Sequence, residues 1–278
     1  MSFFRRYAQN IGALIGLAIL AVVVFVALAA PILYPGSPWQ GVAEPLLPPF
    51  EDPAYPLGTD LLGRDIAAGI AYGARVSLLI GIISTAVAVV IGVAIGALAG
   101  FYGGRVDDML MRFTEFFQTI PAFAMAVVLV AIFSPNITSI TLAIAVVSWP
   151  PVARLVRGEF LSLRSREFVQ AAVVVGQTGP RIMATQILPN AISPIIVTAS
   201  LMVATAILTE SSLSFLGLGD RNMMSWGFMI GAARTMLREA WWLSVFPGLA
   251  ILITVLAINL IGEGLNDAMN PHLRGRKG

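Results

Sequence analysis

Long apolar runs separated by short polar or proline-rich stretches set the pattern of this chain. The runs at 11–30, 76–99, 116–133, 139–156, 191–216 and 244–260 each approach the roughly 20 residues a helix needs to cross a bilayer. They are continuous rather than alternating, which selects helices over a barrel of strands. Pro121 interrupts the third run and Pro150-Pro151 the fourth, so each is a candidate for a kink. Pro135-Asn136 marks a tight turn between them. The expected fold class is all-α, a polytopic membrane bundle of about six transmembrane helices.

Composition gives the same answer. The 278 residues are 58% hydrophobic and 12% charged, whereas soluble domains carry about 25% charged residues. The excess apolar surface requires an apolar solvent, so the lipid membrane is the first partner. There is no cysteine, which excludes disulfides, thiolate nucleophiles and cysteine metal sites. The single histidine, His272, cannot form a metal-binding cluster or a triad. Neither a catalytic residue nor a metal site is expected, nor a nucleic-acid partner, although the net charge of +2 itself says little about nucleic acid.

The placement of Lys and Arg gives an orientation. With six spans both termini share a side, which collects Arg5, Arg6, Arg105, Arg112, Arg154, Arg157, Arg164, Arg166, Arg181, Arg274, Arg276 and Lys277. The other side holds Arg64, Arg75, Arg221, Arg234 and Arg238. The positive-inside rule then puts both termini in the cytoplasm. Removing one span would scatter the basic residues over both sides. Arg5-Arg6, the apolar run and Ala27-Leu28-Ala29 also fit a signal peptide. That run exceeds the roughly 7–15 residues of such a segment, which favours an uncleaved anchor.

Two connections stand out. The external segment 31–74 is dense in proline up to Pro56 and reads as extended, semi-rigid chain. Thr59 or Asp60 can cap a short helix there, and Asp65 the next one. With Arg64, these residues are candidates for a docking surface or for a lid that orders the second span. The other connection is 157–190. Phe168, Ala171, Ala172 and Val175 follow helical spacing as an apolar stripe. Gly176 to Pro180 breaks that helix, Pro180 can begin a second one, and Leu188-Pro189-Asn190 ends it before the fifth span. Two short amphipathic helices thus meet at a glycine corner. The corner either packs on its own bundle or inserts into a partner.

The residues of this corner carry a family signature. Gln170-Ala171-Ala172, Gly176 and Leu188-Pro189 resemble the EAA loop of ABC importer permeases. In that pattern Glu-Ala-Ala is followed after three residues by Gly, and after nine more by an apolar residue or His, one residue and Leu-Pro. The spacing matches throughout; Gln170 replaces the Glu and Gln186 the apolar residue or His. Further segments resemble the C-type permease of dipeptide, oligopeptide and nickel importers. They are Leu57-Gly58-Thr59-Asp60 with Gly63-Arg64-Asp65, Gly73-Ala74-Arg75-Val76-Ser77-Leu78, and the run from Glu210 to Gly219. Pro247-Gly248-Leu249-Ala250 and Asp267-Ala268-Met269-Asn270-Pro271 fit as well.

The resemblance implies a type I importer permease fold in a bacterial inner membrane. It implies a second homologous permease, two cytoplasmic ABC ATPases each gripping one EAA loop, and an external substrate-binding protein. ATP and Mg would reside in the ATPases, since this chain has no P-loop and no cofactor of its own is expected. It divides into an anchor and external segment, 1–75, and a core permease domain, 76–278. In this reading Gly176 allows the sharp turn, Ala171 and Ala172 a close approach, and Phe168 an anchor in a partner pocket. Arg157, Arg164 and Arg166 either pair with ATPase acids or only set topology. Glu210, with Ser211 and Ser214, lines the pore, bonds to the partner permease or reaches interfacial water. A self-contained channel or secondary transporter is the rival class, yet no internal repeat is visible and Glu210 is the only acid well inside a span. An intramembrane enzyme lacks the clustered acids or His pair it would need.

Overall fold

The computed structural model describes residues 7–269. It contains nine principal helices among those residues: α1 (Ile11–Leu33), α2 (Ile66–Tyr102), α3 (Gly104–Thr119), α4 (Ala122–Ile132), α5 (Ile137–Arg164), α6 (Glu167–Val174), α7 (Gly179–Leu218), α8 (Trp226–Ala233) and α9 (Trp242–Met269). Side chains fix several starts. Asn10 Oδ1 accepts from the Ala13 amide at 3.0 Å, and Asp65 Oδ1 from the Ala67 amide at 2.8 Å. Asn136 and Ser139 cap α5 reciprocally, at 2.9 and 3.1 Å.

Asn10 Nδ2 donates to Asp267 Oδ2 at 2.9 Å, so α1 begins where α9 ends. That face is called proximal and the opposite one distal. Five helices (α1, α2, α5, α7 and α9) are long and apolar enough to span, and α3 with α4, bent by 81°, makes a sixth span. The third span is therefore broken outright. Ile120 and Pro121 both take extended ψ, 130° and 124°, as expected where proline disfavours helix in its predecessor.

Pro150-Pro151 does not break its helix: α5 runs uninterrupted through both. This stretch packs directly against α2. A Cβ on Gly92 would lie 2.5 Å from Val152 Cβ and 2.9 Å from the Trp149 carbonyl oxygen. One turn on, a Cβ on Gly96 would collide with the Ala153 carbonyl oxygen, and on Gly100 it would lie 2.6 Å from Phe160 Cβ. These glycines bring the two backbones into contact, the usual way to hold helices together in lipid.

From Ile137, α5 covers about 30 Å, the hydrocarbon thickness, by Arg157. Its last turns and α6 therefore lie beyond the proximal membrane surface. The 157–190 connection is shorter than its sequence suggests, because α5 continues to Arg164 and α7 begins at Gly179. Leu188-Pro189 does not end the second helix. A π-helical turn, Met183–Ile187, carries it into the fifth span, with the Leu188 amide bonded to the Met183 carbonyl. The widened turn absorbs the proline within one continuous helix.

Most of the tryptophans pack inside the fold. Trp149, Trp226 and Trp242 are buried and only Trp241 is exposed. Trp149 stacks on Phe113, and the indole N–H groups of Trp226 and Trp242 donate to the carbonyls of Ile70 and Thr59 at 2.9 and 3.2 Å.

Candidate functional site

The corner between α6 and α7 is built by a Schellman motif. The Gly176 amide donates to the Val173 carbonyl at 2.9 Å and the Gln177 amide to the Ala172 carbonyl at 3.1 Å. Gly176 has φ +82°, and a Cβ there would meet nothing within 4 Å. Glycine is required by backbone conformation, and the space beside it is open to an incoming surface.

α6 divides its apolar residues between two faces. Val169 and Ala172 point inward and join Val156, Phe160, Ile182, Ile187 and Ala191 in one buried cluster. Of the expected stripe, Phe168, Ala171 and Val175 face outward and only Ala172 is buried. Val174 and Val175 are 86% and 80% exposed, with Val173 and Phe168 beside them. Three consecutive valines next to the glycine corner were the available signal, and helical periodicity alone discounts them because they do not share one face.

The remaining signature residues are spread along the two helices. Gln170 Nε2 donates to the Arg164 carbonyl at 3.1 Å, tying α6 to the end of α5. Gln186 is half-buried and its carbonyl accepts from Asn190 Nδ2 at 2.6 Å. Leu188 is half-buried and Pro189 exposed. Two of the arginines are engaged within the chain. Arg157 grips Asp107 with two parallel bonds, Nη2 to Oδ2 being 2.7 Å. Arg164 Nη1 donates to the Phe101 carbonyl at 2.8 Å, at the end of α2. Arg166 is exposed. Asp107, rather than its neighbour Asp108, is the acid that pairs; no sequence spacing shows a partner on another helix.

Glu210 does not line an open surface. It is 1% exposed in the single chain, and a second chain can only bury it further. Ser225 Oγ and Ser214 Oγ donate to Oε1 at 2.7 and 2.8 Å, and Ser211 Oγ lies 3.5 Å from Oε2. Ser225 Oγ also accepts from the Phe228 amide at 2.9 Å, capping α8. A Cβ on Gly227 would fall 2.8 Å from Oε2, so the carboxyl lies against the α8 backbone. Glu210 thus fastens α8 to the distal part of α7. Glu210→Ala is expected to remove about 3 kcal/mol of stability, through lost volume and two buried hydroxyls without their acceptor. Glu210→Gln, which keeps an acceptor oxygen and the volume, is expected to retain most of it. Thermal unfolding of the detergent-solubilised protein compares the two.

The external candidates form an internal knot instead of an open patch. Thr59 is buried: its Oγ1 donates to the Glu44 carbonyl at 2.6 Å and accepts from the Leu47 amide at 2.9 Å. Asp60 caps a turn rather than a helix, with Oδ1 accepting from the Leu62 and Arg64 amides at 2.8 and 2.9 Å. The Arg64 guanidinium sits 4.9 Å above the Trp39 ring. Asp65 caps α2 as expected. Burial pushes its carboxyl up from the usual range, and the Ala67 and Ala68 amides oppose that shift.

This bundle, with a broken third span and a hairpin projecting from one face, has the fold of an ABC importer permease. A methionine transporter solved as "Inward facing conformations of the MetNI methionine ABC transporter" aligns with a TM-score of 0.62 at 17% identity, over 73% of this chain and 97% of that one. The family profile "Binding-protein-dependent transport system inner membrane component" matches residues 92–275, and "N-terminal TM domain of oligopeptide transport permease C" matches 2–49. The di/tripeptide transport system permease protein DppC of Pseudomonas aeruginosa is 40% identical over 278 residues, 98% of this chain and 92% of that protein. The oligopeptide transport system permease protein OppC of Haemophilus influenzae is 38% identical over 272 residues, 96% and 86% of the two chains. The chain belongs to the family of inner-membrane components of binding-protein-dependent transport systems. It is a multi-pass permease of the inner membrane.

Proposed function

We propose that this chain is one permease subunit of an ATP-driven importer for peptides, forming half of a pore with a second, homologous permease. The proximal face is cytoplasmic. The corner from Phe168 to Pro189 seats in an ATPase, one for each permease, and the ATPases supply ATP and Mg. An external binding protein delivers substrate to the distal face. The chain is non-catalytic in this assembly. Residues 76–278 form the core permease domain, and 1–75 supply the anchor helix with its external segment.

The observation that carries this reading is the exposed apolar group Phe168, Val173, Val174 and Val175 beyond the membrane surface. Neither lipid nor the chain's own fold covers it, and such patches mark interaction sites. The names of the relatives direct the substrate to di- and oligopeptides. Uptake of labelled dipeptide by vesicles carrying both permeases should require the ATPases and external ATP; uptake at full rate without them would overturn the reading. Gly176→Asp should insert normally but lose coupled uptake. A side chain at φ +82° costs about 1–2 kcal/mol, and the carboxylate enters the space an ATPase must occupy.

A further inference from the structure

α3 carries a polar stripe into the membrane. Asp108, Arg112, Glu115 and Thr119 recur at helical spacing, with Gln118 beside them, and all five are exposed. The depth follows from the pairing of α3 with α5. Asp107 binds Arg157 at the proximal boundary, Glu115 reaches Arg154, and Phe117 packs on Trp149. The two helices therefore run antiparallel and α3 climbs inward. At 1.5 Å per residue, Glu115 lies about 12 Å and Thr119 about 18 Å beyond Asp107, against a midplane near 15 Å.

The stripe ends at the break. α4 has no side-chain cap, so the amides of Ala122, Phe123 and Ala124 have no helical acceptor. The exposed Gln118 side-chain amide finds no hydrogen-bond partner among the described residues. The Glu115–Arg154 pair is itself exposed, its atoms 3.9 Å apart. Lipid cannot satisfy such groups: irregular backbone at this depth is found only against protein or water.

We propose that this stripe lines the proximal half of the aqueous translocation path. Gln118, with one donor and one acceptor group, is the contact for the main-chain amides of the passing peptide near the midplane. An amide side chain offers the same bonds to any peptide bond, so this contact is indifferent to the substrate's side chains. The inference rests on the permease reading above, and its test separates the two.

The chain contains no cysteine, so single-cysteine variants report without background from it. Gln118→Cys, Thr119→Cys and Glu115→Cys are assembled with the second permease and the ATPases in vesicles and exposed to a charged methanethiosulfonate reagent. Leu28→Cys, on the 72% exposed lipid-side position of α1, is the comparison. The three stripe variants should react at least about tenfold faster than Leu28→Cys, because reaction needs a water-accessible thiolate. Excess dipeptide should slow the reaction at position 118, and completed modification should block uptake. Reaction no faster than at Leu28, in vesicles that still perform ATP-driven dipeptide uptake, would overturn the path while leaving the permease reading intact. Fast reaction that neither dipeptide slows nor uptake registers would place these residues in water away from the path, and also overturns it.

Discussion

Replacing Val174 and Val175 together with aspartate should abolish co-purification of the ATPases and lower ATP-driven uptake at least about a hundredfold, with the permease still in the membrane at its normal level. Both side chains point away from the fold, at 86% and 80% exposure, so the exchange removes no packing inside the chain. Exposed substitutions of that kind change stability by only about 0.5 kcal/mol. Binding is another matter, because carboxylates would be carried into a desolvated apolar seat and left unpaired. Ser162→Asp, exposed near the end of α5 but outside the valine group, adds a comparable charge and should leave association unchanged. Pull-down of tagged ATPase and vesicle uptake read the two effects separately. Normal association of the double variant would mean that the ATPases grip some other part of the chain.

The second large effect is structural. Gly96→Leu should prevent a folded bundle. The new Cβ would collide with the Ala153 carbonyl oxygen and lie 2.8 Å from Val156 Cβ. Neither neighbour can withdraw, since one is main chain and the other is held in the cluster with Phe160 and Ile187. Overpacking at a backbone-to-backbone contact should exceed about 3 kcal/mol. Gly158→Leu makes a matched comparison, because a Cβ at Gly158 meets nothing within 4 Å. Size-exclusion profiles after detergent extraction should show aggregation for the first and a wild-type peak for the second. A monodisperse Gly96→Leu protein would mean that α2 and α5 pack through other positions.

The spans were legible because a run of apolar residues long enough to cross a bilayer has few other uses. Asp65 and Asn136 were legible as caps or turns for local reasons, each bonding within three residues. What sequence pattern could not resolve depends on contacts between distant segments. Pro121 and Pro150-Pro151 look alike in sequence, yet only the first breaks its helix; the second lies where α5 packs on the glycine face of α2. Glu210 is an acid in an apolar run by sequence. That it fastens α8 becomes visible only once Ser225, far along the chain, is brought to 2.7 Å. At the corner, Gly176 is legible as a turn because its φ of +82° suits glycine alone. Val173 and Val174 lie outside the stripe Phe168, Ala171, Ala172 and Val175, so helical spacing alone does not draw them into the outward group.

The knot around Thr59 has a mechanical consequence. Tyr72 Oη donates to the carbonyls of Tyr34 and Gly36 at 3.2 and 3.1 Å, and Trp242 Nε1 donates to the Thr59 carbonyl at 3.2 Å. These bonds clasp the distal tips of α1, α2 and α9 to one stretch of chain. Helices joined at one tip can only splay at the other, like the ribs of a fan around its rivet.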